Sequence, residues 1–162
     1  MLGETMVGWR VWDATRALDY METRPEVNPR RIATMGISGG GVTSLWTAAL
    51  DRRVKAAVVS GYYNTFRDSI LAMDHCVDNY VPGISRLLEM PDLAGLVAPR
   101  ALFIESGHQD SIFPLHATER AITRAQEIYG VFGVPERFGS ETFPGEHQFH
   151  GRGAFEFLKH AL

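Results

Sequence analysis

Short apolar runs alternate with segments of helical period along this chain. Val11, Ala14, Leu18 and Met21 fall on one face at helical spacing, which predicts a helix over about 7–23. Pro25 and Pro29 end it and frame a loop, because a proline pushes the residue before it out of helical geometry. An apolar run of strand length follows at 32–37. Val42, Leu45, Trp46 and Ala49 then mark a helix over 41–50. Further strands are predicted at 54–60, 101–105 and about 137–143, each bounded by turn residues. The helix over 114–129 places Pro114 near its first turn and offers Ala121, Ile122, Ala125 and Ile128 to a core. A last helix over 151–162 would bury Phe155, Leu158 and Leu162.

Alternating strands and helices imply an α/β fold, with a mostly parallel sheet of about four strands wound by right-handed crossovers. The segment 61–99 is longer than a simple crossover needs. Short helices are expected in it around 66–73, 84–90 and 92–97. It reads as a small helical cap over about 64–97, inserted in a single domain spanning 1–162 with no linker or repeat.

Composition narrows the class. A chain of 162 residues with 45% hydrophobic and 22% charged content suits one globular domain with a sizeable core. A net charge of −3 makes no electrostatic case for nucleic acid or for an anionic membrane. No apolar run approaches membrane-spanning length. The lone cysteine, Cys76, excludes an internal disulfide and fits a reducing compartment. Residues 1–8 have neither the charged region nor the apolar stretch of a signal peptide, so a cytoplasmic location is expected.

The chemistry concentrates at Gly36-Ile37-Ser38-Gly39-Gly40, between a strand and a helix. A serine on a sharp strand-to-helix turn projects its hydroxyl beyond the sheet, and small neighbours admit the strained backbone. Asp110 follows the third strand, and His147 follows the fourth in Glu146-His147-Gln148-Phe149. Taken singly, these residues are a helix cap, a turn aspartate and a loop histidine. Taken jointly, they follow three strand ends in the order Ser, Asp, His, at the rim where open α/β sheets bind ligands. Ser38 would be the nucleophile, His147 the base and then the acid, and Asp110 the carboxylate that orients the ring. The Gly39 N–H would be one oxyanion donor, at a helix N-terminus that favours developing negative charge. Tyr62 and Tyr63 follow the second strand at the same rim. They line the pocket, or one hydroxyl helps bind an oxyanion, or the pair packs the cap.

At these residues the chain resembles the C-terminal half of an α/β-hydrolase. It is most similar to the branch containing dienelactone-hydrolase-like proteins, acetyl xylan esterases and the catalytic domains of prolyl oligopeptidases. The likeness runs through Asn28-Pro29-Arg30-Arg31-Ile32, Met35 to Gly41, Asp51 to Ala56, Ala98 to Leu102, Asp110 to Pro114 and Gly145 to Phe149. The segment from Cys76 to Gly83, followed by Asp92 to Val97, is closer to esterases of the acetyl-xylan-esterase type than to peptidases. Dienelactone hydrolases carry a cysteine at the elbow, whereas this chain has Ser38.

The resemblance implies a serine hydrolase acting on small or short-acyl carboxylic esters, with no cofactor. It also implies what lacks a counterpart here: the first four strands of a complete fold, and the loop that supplies the second oxyanion donor. The elbow strand, central in the complete fold, would then be an edge. Its run Ile32-Ala33-Thr34-Met35-Gly36-Ile37 is too apolar for a solvated edge, so a homo-oligomer is expected, with two elbow strands meeting to rebuild an eight-stranded sheet.

Three rival readings stand beside this one. A truncated relative could keep the triad geometry without turnover and serve as an oligomeric or ligand-binding scaffold. A peptidase would ordinarily carry a large gating domain, absent here. His108-x-Asp110 and His147-x-x-His150 could converge as metal ligands, but a metal leaves the elbow unexplained. His75, Cys76 and Asp78 could suggest metal or thiol chemistry, but a lone cysteine and irregular spacing argue against it; Cys76 reads as a small cap residue, and Trp9, Trp12 and Trp46 as core or interface residues.

Overall fold

A computed structural model describes residues 4–162, so part of the expectation for residues 1–8 lies outside the described residues. The elements in chain order are α1 (Met6–Glu22), β1 (Ala33–Ile37), α2 (Gly39–Leu50), β2 (Ala56–Ser60), α3 (Ala94–Val97), β3 (Ala101–Gly107), α4 (Leu115–Val131), β4 (Phe138–Phe143) and α5 (Arg152–Ala161). The four strands form one parallel sheet in the order β1-β2-β3-β4. Each crossover thus returns the chain to the neighbouring position in the sheet.

Every residue of β2 and β3 is buried, as the apolar runs Ala56–Val59 and Ala101–Ile104 require of strands covered on both faces, and the polar residues that end them are buried too. The main core lies where α1, α2, α3 and α4 cover the sheet. Leu45, Val59, Leu102, Ile104 and Ala125 meet there at full burial. A smaller core on the opposite face joins Val58 and Phe103 to Ala154, Phe157 and Leu158 of α5. Burying one such side chain contributes roughly 1.5–3 kcal/mol.

Three expectations need correction. The cap is not built of regular short helices. Residues 66–72 are turns, and the remainder is 3-10 turns at Val77–Asn79, Ile84–Arg86 and Met90–Leu93, with a single helical turn at α3. Side chains satisfy the backbone there. Glu89 accepts from Phe66 N and Arg67 N at 2.8 and 3.1 Å, and forms a capping box with Asp92. Pro82 and Pro91 further forbid a continuous ladder.

In α5 the buried position is Ala154. Phe155 is exposed and packs edge-on against Phe149, because the helix turns Phe157 and Leu158 toward Phe103 instead. Trp9 and Trp12 are exposed rather than core residues, and Arg16 lies over the Trp12 ring.

Arg53 ties α1 to the turn after α2. Its guanidinium donates to both Asp51 oxygens, to Asp19 Oδ1 at 2.7 Å and to Glu22 Oε2 at 2.9 Å. The bidentate bond from Arg53 holds the Asp51 carboxyl below the usual carboxylate range. A depressed folded-state value stabilises at neutral pH and is lost as pH falls below the unfolded aspartate range. Arg53→Met is expected to lower unfolding free energy by about 1–2 kcal/mol at pH 7, given partial exposure, with a smaller deficit near pH 3. Urea titrations at the two pH values measure this.

Candidate active site

β1 ends at Ile37, and α2 begins at Gly39, leaving one residue for the reversal. Ser38 takes it with φ 54° and ψ −119°, and is the one non-glycine residue of positive φ among the described residues. That strain persists because the surroundings over-determine it. Ser38 N donates to Ser60 O at 3.0 Å, while Ser38 O accepts from Val42 N at 2.9 Å. Gly36 is required beneath, since a methyl group there would overlap the Gly40 carbonyl. The Ser38 hydroxyl does not cap its own helix. Ser38 lines a cleft of about 300 Å³ together with Gly39, His75, Asp78, Ile112 and Phe113 among others.

Asp110 stands in the turn after β3, its side chain fully enclosed. Its Oδ1 accepts from Ile112 N at 2.9 Å and Phe113 N at 3.0 Å, an Asx turn that aims the other oxygen away from the sheet. Oδ2 is 2.8 Å from His147 Nδ1. Because an ionised carboxylate only accepts, Nδ1 carries the proton and Nε2 is left as the basic nitrogen. Phe113 stacks on the imidazole with ring centres 5.8 Å apart, and Gly61 lies beneath it, so that a methyl group at 61 would sit 3.2 Å from the ring.

The loop carrying His147 rests on the end of β3. Gly107 meets it so closely that a methyl group there would overlap the Gly145 and Glu146 carbonyls. His108 N and Gln109 N donate to Phe143 O and Gly145 O at 2.8 and 2.9 Å.

Asp110 and His147 are thus brought into a hydrogen bond. Ser38 reaches the same rim through Ser60, whose successor Gly61 underlies His147. No hydrogen bond joins Ser38 to His147 among the described residues. Gly39 lines the Ser38 cleft as the first residue of α2.

Tyr62 and Tyr63 do not line that cleft, which corrects the pocket expectation for both. They are 2% and 1% exposed, and the Tyr63 hydroxyl donates to Pro91 O at 2.7 Å, so the pair packs the cap onto the core. Burial pushes both hydroxyls above the ordinary tyrosine range.

The metal alternative does not assemble. His108 Nε2 meets Thr142 Oγ1 at 3.3 Å and His150 Nε2 meets Glu141 at 3.6 Å. Among the described residues, no group of three His, Cys, Asp or Glu side chains converges.

Sequence reading named Asp78 only as a neighbour of Cys76, and passed over its setting and two further features. Asp78 is buried, pairs with Arg10 Nε at 3.2 Å, and lies beside Gly39. Phe113 joins Tyr62, His75 and His147 in one aromatic cluster. Glu105 is fully buried at the end of an apolar strand, a placement that itself marks a carboxylate with fixed partners.

A parallel sheet whose first strand ends in a strained serine turn, with an Asp–His pair beyond the later strands, has the architecture of the α/β-hydrolase fold. Residues 9–88 match the acetyl xylan esterase (AXE1) family. YtaP of Bacillus subtilis strain 168, a protein named as a hydrolase, is 30% identical over 141 residues, covering 84% of this chain and 46% of YtaP. The 4-O-methyl-glucuronoyl methylesterase of Phanerochaete carnosa is 27% identical, covering 83% of this chain and 39% of that protein.

Among solved structures, a glucuronoyl esterase from Solibacter usitatus superposes with a TM-score of 0.73 at 22% identity, covering 93% of this chain and 46% of that one. A promiscuous CE15 esterase from a marine bacterial metagenome gives 0.77 at 22% identity, with 94% and 47% covered. At such identities these structures speak for the fold. The chain spans less than half the length of each of these four proteins.

Gly36→Ala is expected to lower unfolding free energy by about 2–3 kcal/mol, because backbone rather than a pliable side chain opposes the added methyl. Chemical denaturation measures the loss, and a wild-type midpoint would show that the turn is looser than its geometry.

Proposed function

We propose that this chain carries serine-dependent hydrolysis of carboxylic esters through an acyl-enzyme intermediate. The observation that carries the reading is the enclosed Asp110 carboxylate, which accepts a hydrogen bond from His147 Nδ1 at 2.8 Å and leaves Nε2 as the basic nitrogen. Likeness to the acetyl xylan esterase family and to named esterases supports ester chemistry over other uses of the fold.

The steps follow from the groups present. Ser38 Oγ attacks the ester carbonyl as Nε2 removes its proton, and the Gly39 N–H donates to the oxyanion. Collapse breaks the bond to the alcohol oxygen, which takes the proton from Nε2 and leaves an acyl ester on Ser38. Water gives a proton to the same nitrogen as it attacks that ester; collapse breaks the bond between the acyl carbon and Ser38 Oγ, Nε2 returns the proton to Oγ, and the carboxylic acid departs. Asp110 holds the ring and stabilises the imidazolium in both halves. The open Ser38–His147 arm suits this role, because such bonds commonly tighten only when substrate is bound.

The cleft of about 300 Å³ suits a short acyl group packed against Phe113 and Ile112. The named relatives act on glucuronoyl and methyl esters, so the alcohol or acid portion can be a sugar lying across the cleft mouth.

A second copy pairing along β1 is part of the reading. Met35 of β1 is 41% exposed, and no strand pairs with the outer edge of β1 among the described residues. The scaffold reading draws on the same open arm between Ser38 and His147.

Ser38→Ala is expected to reduce hydrolysis of a short p-nitrophenyl ester by at least ~10³-fold with an unchanged circular dichroism spectrum. A fluorophosphonate is expected to label the wild type and not the variant. Turnover surviving in the variant refutes the nucleophile, and a folded wild type inert to the probe favours the scaffold. Sedimentation at low micromolar concentration is expected to give a dimer or larger species, reduced to monomer by Met35→Lys; a monomeric wild type removes the edge-pairing proposal.

A further inference from the structure

Glu105 has no part in the steps above, yet its carboxylate is fully buried at the catalytic rim of β3. Among the described residues, no lysine or arginine pairs with it. Its Oε1 accepts from His150 N and its Oε2 from Gly151 N, both at 2.9 Å. These donors are the last loop residues before α5, so the carboxylate also sits at that helix's N-terminus, where negative charge is favoured. The neighbouring strand places Glu141 level with it, and Glu141 Oε2 accepts from Gly153 N at 2.8 Å. Like charges directly opposite on a sheet ordinarily repel. Here both are directed at the start of one helix.

The loop between β4 and α5 is therefore held at two ends. At the front, His108 N and Gln109 N hold Phe143 O and Gly145 O. At the rear, Glu105 holds residues 150 and 151. His147 lies between the clamps, three residues from the rear one. The backbone of Glu105 acts on the other side of the ring as well, because its carbonyl accepts from Gly61 N at 2.9 Å and Gly61 underlies the imidazole. One residue thus fixes both the loop that carries the base and the floor it rests on.

We infer that Glu105 is a positioning residue for His147: its buried carboxylate sets the imidazole at the distance from Asp110 and Ser38 that turnover needs. The inference rests on the hydrolase reading for its kinetic consequence and on geometry alone for its structural one.

Glu105→Gln in the full chain is the test. The amide keeps the shape and one acceptor but turns an NH₂ group toward the second backbone donor. Turnover number is expected to fall about tenfold or more with KM within about twofold, since small displacements of a reacting group are costly. In proton NMR, the downfield signal of the His147 Nδ1 proton is expected to move or broaden.

In a His147→Ala background, Glu105→Gln is expected to leave the residual rate unchanged, because its action passes through the imidazole. An equal fall in both backgrounds identifies a general structural role and overturns the inference. So does an unchanged turnover number with an unchanged imidazole signal.

If the wild type hydrolyses no ester, the hydrolase reading fails, and the NMR signal alone decides: displacement supports positioning and constancy overturns it. Should Glu105→Gln not fold, Glu105→Asp, one methylene too short to reach both donors, is put through the same measurements with the same expectations.

Discussion

The site depends on the level registration of parallel strands. Ile37, Ser60 and Glu105 are successive partners across β1, β2 and β3, and Glu105 is level with Glu141 of β4. Parallel pairing with return crossovers sends every strand the same way, so all four strand ends open on one rim. Residues 72 and 37 positions apart in the chain, Ser38 to Asp110 and Asp110 to His147, are thereby delivered to neighbouring turns. Nothing in the loops has to travel far. What remains is angular, and it is settled by backbone: the positive φ at Ser38, the Asx turn at Asp110, and the loop laid on Gly107.

That reliance on backbone explains how the fold persists at 22% identity with a TM-score of 0.77. Few positions are chemically specified. Gly36 and Gly107 are, because each faces a carbonyl at a distance that leaves no room for a Cβ. Most core positions require only an apolar side chain of suitable volume, and such positions change freely while the sheet keeps its register. A rim built from main-chain contacts on a core of interchangeable apolar residues retains geometry long after sequence has diverged.

Much of this was legible before any coordinates. Strand and helix positions follow from periodicity, because β2 and β3 open on apolar runs and α1 and α4 are amphipathic. The serine turn was legible because its signal is local: strand, glycines and helix lie within a dozen residues. The unread parts are those where tertiary contacts choose among locally equivalent options. Phe155 and Phe157 both suit the inner face of α5, and the helix's rotation against Phe103 decides which is covered. In the cap, the side chains of Glu89, Thr65 and Asp92 supply backbone partners that a periodic pattern assigns to helix. Glu105 and Gly107 were unread because their partners lie some 40 residues downstream, a separation over which neither periodicity nor a short motif carries information.

Both outer edges of the sheet, at β1 and at β4, lack a paired strand among the described residues, and at β1 one face is bare as well. Met35, Val58 and Phe103 are level across β1, β2 and β3 and so share a face. α5 covers Val58 and Phe103, and the same apolar row continues uncovered to Met35, 41% exposed. The outer edge of β1 adds unpaired backbone groups to this bare apolar face. Any cover must therefore do two things together: supply a strand to the β1 edge and an apolar surface over Met35. A lone helix meets only the second demand, and a lone strand only the first. Further sheet with its own helix meets both, whether it comes from a second copy or from additional chain. The solved structures on which the chain superposes are each about twice its length. Because parallel strands end together, the rim and the bare β1 edge are set independently, the first by register within the sheet and the second by what lies beside it.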